Sequence, residues 1–245
     1  PDLLPGDITG VSIYDQKSQR FEFHGGPIFA NVVLADEINR ASPKTQSALL
    51  EVMEEGQVTV DGVRHRVEPP FMVIATQNPI EQAGTYRLPE AQLDRFLLKT
   101  SIGYPDHQST MRILENPHAS EALEISSVVP ASTVADMVSL VSTVHVDPSI
   151  NDYIARIVEG TRSATEVRLG ASVRAALALV RASRALAASA GRSFVIPDDV
   201  KTLAEAVLGH RLVLDPEAEF DGVTPSSVVS RVLIDTTPPQ DQGAR

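Results

Sequence analysis

Two short apolar runs punctuate the first hundred residues, NVVLAD (31–36) and FMVIAT (71–76). Continuous β-branched and aliphatic stretches of this length predict strands buried on both faces of a parallel sheet. Between them the period changes. Ser42 is placed to cap a helix, Pro43 suits its first turn, Leu49, Leu50 and Met53 fall on one face, and Gly56 can end it. QVTVDGVRHRVE (57–68) then alternates around Asp61-Gly62, a two-residue turn signal that predicts a hairpin. An earlier hairpin is predicted for VSIYDQKSQRFEFH (11–24), with Val11, Ile13, Phe21 and Phe23 as its apolar positions, and PEAQLDRF (89–96) reads as a short helix. Alternation of strands and helices argues for a sheet-and-helix core.

Past GYPDHQ (103–108), where Gly, Pro and polar residues cluster, the pattern is helical almost throughout. Candidate helices are HQSTMRILE, STVADMVSLVSTV, PSINDYIARIVEG, Ser172–Ala190, PDDVKTLAEAVLG and PSSVVSRVLI. Asp147-Pro148 is a start signal, and Gly160, Gly191 and Gly209 are placed as stops. The organisation expected is therefore an α/β part over 1–105, a helical part over 106–235 and a disordered tail, TTPPQDQGAR, over 236–245. The most apolar long stretch, 171–191, is broken by Arg174, Arg181 and Arg184 and reads as an amphipathic helix rather than a membrane span.

Composition narrows the function. Among 245 residues the net charge is −11, and the two parts carry −5 and −6, so the positive field of a dedicated nucleic-acid binder is absent. With no cysteine, disulfides, thiol nucleophiles and thiolate metal sites are excluded. The absence of a secretory signal or long apolar run gives a cytoplasmic expectation. The six histidines are isolated, with no HxH or HxxxH spacing, and no GxSxG elbow occurs.

Four constellations can carry chemistry. NVVLADEINRA delivers Asp36 and Glu37 to the carboxyl end of a strand, where α/β sheets bind ligands; one carboxylate can serve a hydrated Mg²⁺ and the other can polarise an attacking water. Asn78 ends the second run and can donate to a phosphate or a water. Arg95 offers a planar, permanently charged fork suited to a transferring phosphoryl group. Arg174 sits in the first turn of a helix that Ser172 can cap, against the helix dipole. Each alone also fits a plainer reading: a helix-capping acid, an Asn-Pro turn, an Asp94–Arg95 surface group, a solvated arginine.

Taken in order, DLLPGDITG (2–10), GPIFANVVLADEINRASPKTQSALLEVMEEGQVTV (26–60) and FMVIATQNPIEQAGTYRLPEAQLDRFLLK (71–99) resemble AAA+ ATPases, and the MoxR family in particular; beyond 106 the likeness is weaker and rests on a helical lid with GASVRA (170–175). The resemblance implies an α/β AAA+ nucleotide-binding core, here partial, with a parallel sheet and inserted β-hairpins, followed by an all-α lid. It implies that Asp36 and Glu37 are the Walker B Mg²⁺-associated acid and the catalytic base, Asn78 sensor 1, Arg95 an arginine finger acting on a neighbouring subunit's nucleotide, and Arg174 sensor 2, with Asp36, Asn78 and Arg174 contacting nucleotide or metal. Arg40 and Arg87 are further interface candidates. The hairpins at 11–24 and 57–68 resemble the helix-2 insert and the pre-sensor-1 hairpin. ATP and Mg²⁺ are the implied cofactors. The implied assembly is a homo-oligomeric ring, a hexamer, remodelling protein or metalloenzyme clients with von Willebrand factor A domain partners.

One departure stands. A P-loop, GxxxxGK(S/T), is needed to hold the phosphates, yet the lysines, at 17, 44, 99 and 201, never follow Gly. The expectation is that 1–245 is a piece of an active ATPase whose P-loop precedes Pro1, and that alone it binds ATP poorly. Two alternatives stay open: a nucleic-acid motor of the helicase-like AAA+ branch, and a non-enzymatic AAA+ scaffold.

Overall fold

The computed structural model describes residues 3–78, 86, 88–116 and 126–239. The α/β part begins with a short helix α1 (Pro5–Thr9), the hairpin β1 (Gly10–Asp15) and β2 (Arg20–Gly25), and strand β3 (Val32–Ala35). Helix α2 (Pro43–Glu55) leads to the hairpin β4 (Gln57–Val60) and β5 (Val63–Arg66), then β6 (Met72–Ala75) and the short α3 (Glu90–Leu93). The helical part holds α4 (His107–Glu115), α5 (Ala131–Ser142), α6 (Pro148–Ser163), β7 (Val167–Leu169), α7 (Val173–Ser189), α8 (Pro197–Leu208), β8 (Val213–Leu214), α9 (Pro216–Phe220) and α10 (Pro225–Asp235).

Local signals explain most boundaries. The Ser42 hydroxyl accepts from the Thr45 N–H at 3.3 Å to start α2, and Gly56 ends it in the left-handed region at φ 61°. Asp61 and Gly62, at φ 49° and 78°, close the β4–β5 hairpin. Ser172 caps α7 through the Ala175 N–H, and Gly191, at φ 71°, follows its end. Gly160 does not behave as the stop the sequence suggests. Helix α6 runs through it to Ser163, and a Cβ there would lie 2.8 Å from Val232 Cγ1, so the glycine admits close approach of α10.

Strands β3 and β6 pair in parallel, Val32 with Met72 through Ala35 with Ala75. Contrary to the sequence expectation, neither is buried on both faces. Val33, Ala35, Val73 and Ala75 pack on a core of Ile28, Ile38, Leu49, Leu50 and Val58, while Val32, Leu34, Met72 and Ile74 remain 46–65% exposed. Only one layer among the described residues covers this sheet, so the second face of each strand meets solvent.

The first hairpin also differs from its sequence pattern. Its register sets Tyr14 against Phe21 and Ser12 against Phe23, so Val11 and Ile13 point to one face and Phe21 and Phe23 to the other. Phe23 alone is tucked in, stacked on His65 of β5 with ring centroids 3.7 Å apart and edge-on to Phe29.

A larger core fills the helical part, built on Tyr153, Ile154, Ile157, Leu179, Val200, Leu208 and Val228. Burying each such side chain is worth about 1.5–3 kcal/mol. The helices are laced by an antiparallel β7–β8 pair that the helical pattern did not reveal, and by the bidentate Arg231–Glu166 pair at 2.6 and 2.8 Å. Of the expected tail, residues 240–245 lie outside the described residues, and the Thr237 carbonyl accepts from Arg156 at 3.0 Å.

The two parts meet at a dense polar junction. Arg211, with a side chain only 2% exposed, donates to the Asp94 carboxylate at 2.8 Å, to the carbonyls of Phe96 and Asp94 at 2.6 and 3.1 Å, and to that of Val207. Asp94 also accepts from the Ser172 hydroxyl at 3.1 Å, and the Lys99 N–H reaches the Ala206 carbonyl at 2.8 Å.

Candidate active site

Parallel pairing of β3 with β6 brings their carboxyl ends side by side, and with them the chain's acidic pair. Asp36 follows β3. Glu37 takes a left-handed conformation, φ 47° and ψ 50°, and the chain then coils through a 3₁₀ turn, Ile38–Arg40. A non-glycine residue in that region is held there by its surroundings. Here the holder is Thr76, just past β6: its hydroxyl donates to Asp36 Oδ1 at 2.5 Å and accepts from the Glu37 N–H at 2.8 Å, while its carbonyl accepts from the Ile38 N–H at 3.0 Å. The residue that separates and aims the two acids is therefore a threonine just past the neighbouring strand.

The Glu37 carboxylate is clamped at both oxygens. Arg40 Nη1 donates to Oε2 at 2.8 Å and Asn78 Nδ2 to Oε1 at 3.4 Å. The Arg40 hydrogen bond, and then that of Asn78, hold the Glu37 carboxyl below its ordinary pKa, so at neutral pH it is a carboxylate able to accept a proton. Asn39 fixes Asn78 in turn: its amide donates to the Asn78 carbonyl at 3.0 Å and its oxygen accepts the Asn78 N–H at 3.4 Å. The buried Gln46 of α2 ties this turn down through the Ile38 carbonyl at 3.1 Å.

Asp36, Glu37 and Asn78 thus converge as the sequence suggests; Arg95 and Arg174 converge elsewhere. Arg95 lies just beyond α3 rather than on it, and it pairs not with its neighbour Asp94 but with Glu54 Oε2 at 2.9 Å. Arg174, in the first turn of α7, reaches Oε1 of the same Glu54 at 2.5 Å. Glu54 stands in the last turn of α2, whereas Gln46 near its other end bonds the acidic turn at Ile38, so the two clusters lie towards opposite ends of a helix about 20 Å long. Arg40 belongs to the first cluster, and Arg87 lies outside the described residues.

Sequence reasoning missed Thr76, Asn39 and Glu54. A Thr directly after the second strand run was the only signal for the first. Nothing local marks Glu54, since its partners are 41 and 120 residues away.

A hydrated Mg²⁺ fits this donor set. Asp36 presents hard carboxylate oxygens in an exposed position, the donor chemistry that a hydrated Mg²⁺ takes. Among the described residues no helix is long and apolar enough to cross a membrane.

Comparison with known proteins gives the family and the fold. Residues 1–98 match the model of the ATPase family associated with various cellular activities (AAA), and residues 159–232 match an AAA lid domain. The chain is 50% identical to the uncharacterized protein YeaC of Bacillus subtilis over 95% of its own length and 73% of that protein. It is 42% identical to the chaperone MoxR1 of Mycobacterium tuberculosis, covering 98% of this chain and 66% of the relative. The crystal structure of an ATPase candidate from Cytophaga hutchinsonii superposes with a TM-score of 0.89 at 37% identity, covering 98% of this chain and 76% of that one. With its acidic turn at the end of a parallel strand pair and its helical lid, the chain belongs to the MoxR family of AAA+ ATPases.

Proposed function

We propose that this chain forms most of a Mg²⁺-dependent ATP hydrolase that works in a homo-oligomeric ring, a hexamer, and couples hydrolysis to chaperone-like remodelling or maturation of protein complexes. The observation that carries the reading is the clamped Glu37 carboxylate beside Asp36 at the ends of β3 and β6. In this reading Glu37 accepts the proton of the water that attacks the terminal phosphorus, Asn78 holds that water and a phosphate oxygen, and Asp36 carries the Mg²⁺ through its waters. The ion, when bound, neutralises charge on the phosphate oxygens.

Arg95 sits with Glu54 towards the far end of α2 from Glu37, which supports its action as an arginine finger on a nucleotide held by a neighbouring subunit, and Arg174, on the same Glu54, is the proposed sensor 2 residue. The division into an α/β core over 1–105 and a lid over 106–235 follows from the same reading. So does a phosphate-binding loop contributed by residues outside the 245: no lysine here follows a glycine, and the exposed face of Val32, Leu34, Met72 and Ile74 is of the kind that parallel sheets bury under a further layer. The client is a protein, in accord with the chaperone name of MoxR1, and a von Willebrand factor A domain partner is the class proposed. A net charge of −11 weighs against a nucleic-acid motor.

The test is Glu37→Gln in the protein that includes its phosphate-binding loop. ATP binding by titration calorimetry should persist while turnover falls by a factor of about 10²–10⁴. Near-normal hydrolysis would remove Glu37 from the base role.

A further inference from the structure

Glu54 offers one carboxylate to two guanidinium groups that arrive from different parts of the chain. Arg95 Nη2 takes Oε2 at 2.9 Å and Arg174 Nη2 takes Oε1 at 2.5 Å. A carboxylate gripped at each oxygen by a separate arginine places an oxyanion between two guanidinium groups, and a phosphoryl group has the same affinity for such donors. The site is open: the side chains of Glu54, Arg95 and Arg174 are 37%, 32% and 46% exposed. Ion pairs this accessible contribute little to stability, so they can be exchanged readily for a stronger anion.

The backbone beneath the arginines, by contrast, is locked. Asp94, adjacent to Arg95, and Ser172, two residues before Arg174, are bonded to one another at 3.1 Å, and Arg211 seals that contact from below. The two arginine stems are thereby held together whatever their guanidinium groups do. A fixed pair of arginines with a weakly held internal anion is an oxyanion site supplied with its own occupant.

We infer that Glu54 is a positioning residue and the resident occupant of a two-arginine oxyanion site, keeping Arg95 and Arg174 convergent until the terminal phosphate of a polyphosphate takes its place. The identity of that phosphate as a nucleotide's rests on the function proposed above; the site itself does not. Any anion that must displace Glu54 binds more weakly by the strength of the contacts it breaks. Removing the charge of Glu54 should therefore strengthen anion binding rather than weaken it.

The experiment uses the 245-residue chain and inorganic tripolyphosphate, followed by ¹⁵N–¹H spectra of the arginine side chains. In Glu54→Gln the Arg95 and Arg174 signals should lose their anion-free protection together, and tripolyphosphate should bind about fivefold more tightly than to the parent chain. The gain should vanish when Arg174→Ala is added. Unchanged or weaker binding in Glu54→Gln, or a gain that survives Arg174→Ala, would overturn the inference. Thermal melting of Glu54→Gln should stay within about 2 °C of the parent, as expected for exposed pairs. Should that variant fail to fold, Glu54→Ala, which also removes the carboxylate and suits a helix, gives the same comparison. Failure of ATP hydrolysis in the protein with its phosphate-binding loop would remove the nucleotide reading and leave the tripolyphosphate result to decide the oxyanion site.

Discussion

Arg211 and Asp94, 117 residues apart in sequence, form the ion pair that joins the helical part to the α/β part, at 2.8 Å and with the arginine side chain 2% exposed. Burial works against the guanidinium charge, and the Asp94 carboxylate offsets it. Truncating one member leaves the other charge desolvated without a partner, a loss of about 3–5 kcal/mol. Asp94→Ala should therefore lower the urea midpoint by that equivalent, and hydrogen exchange should accelerate at Lys99 and at the start of α7 together. A change under about 1 kcal/mol would show that the junction is held by apolar contacts instead.

His210 predicts an acid sensitivity at the same junction. Burial first, and the neighbouring Arg211 charge second, push its pKa from 6.5 down to about 4, so the folded protein holds it neutral. An unfolded chain takes up that proton near pH 6.5. Stability from this group is complete above pH 6.5 and declines as pH falls towards 4, by up to roughly 3 kcal/mol. Urea unfolding at pH 7.5 and pH 5 should show the decline in the parent and a much flatter profile in His210→Gln. Equal slopes in both would assign the acid loss to other groups.

Thr76→Val keeps volume and strand preference while deleting the hydroxyl that bridges Asp36 and the Glu37 N–H. Stability should fall by about 1–2 kcal/mol, because an N–H and a carboxylate oxygen lose a partner. The informative readout is kinetic: in the loop-bearing protein, kcat should drop about tenfold or more with a smaller change in KM, as for a residue that aims the base rather than binds substrate. Loss of KM alone would contradict that role.

Arg95→Ala should reduce hydrolysis by a factor of about 10³ or more. If the arginine serves the neighbouring subunit, mixing Arg95→Ala with Glu37→Gln subunits restores part of the activity, since one interface in such a ring carries both intact groups. No recovery at any mixing ratio would place Arg95 at its own subunit's nucleotide or outside the reaction.

The caps and turns of this fold were legible in the chain because they are local. Ser42, Ser172, Gly56 and Asp61-Gly62 each act through neighbours within four residues, and each does in the structure what its residue type favours. Asp36, Glu37 and Asn78 were legible for a related reason: they end apolar runs, and two parallel strands that end together bring such residues together. The face of the first hairpin was not legible. Alternation gives Val11 and Ile13 a common side and Phe21 and Phe23 a common side, but whether these sides coincide depends on the register, and the pairing of Asp15 with Arg20 sets them apart.

By itself, then, the sequence determined the main strands and helices, several of their caps and turns and the acidic turn, through short-range sterics, capping hydrogen bonds and hydrophobic period, while the β7–β8 pair and the run of α6 past Gly160 depended on packing. Only the tertiary structure decided the charge pairing: Arg95 and Arg174 on Glu54, Arg211 on Asp94, Thr76 between the two acids. A guanidinium accepts any carboxylate within reach, and reach between groups up to 120 residues apart is set by the packing of α2, α3 and α7, which no local pattern encodes.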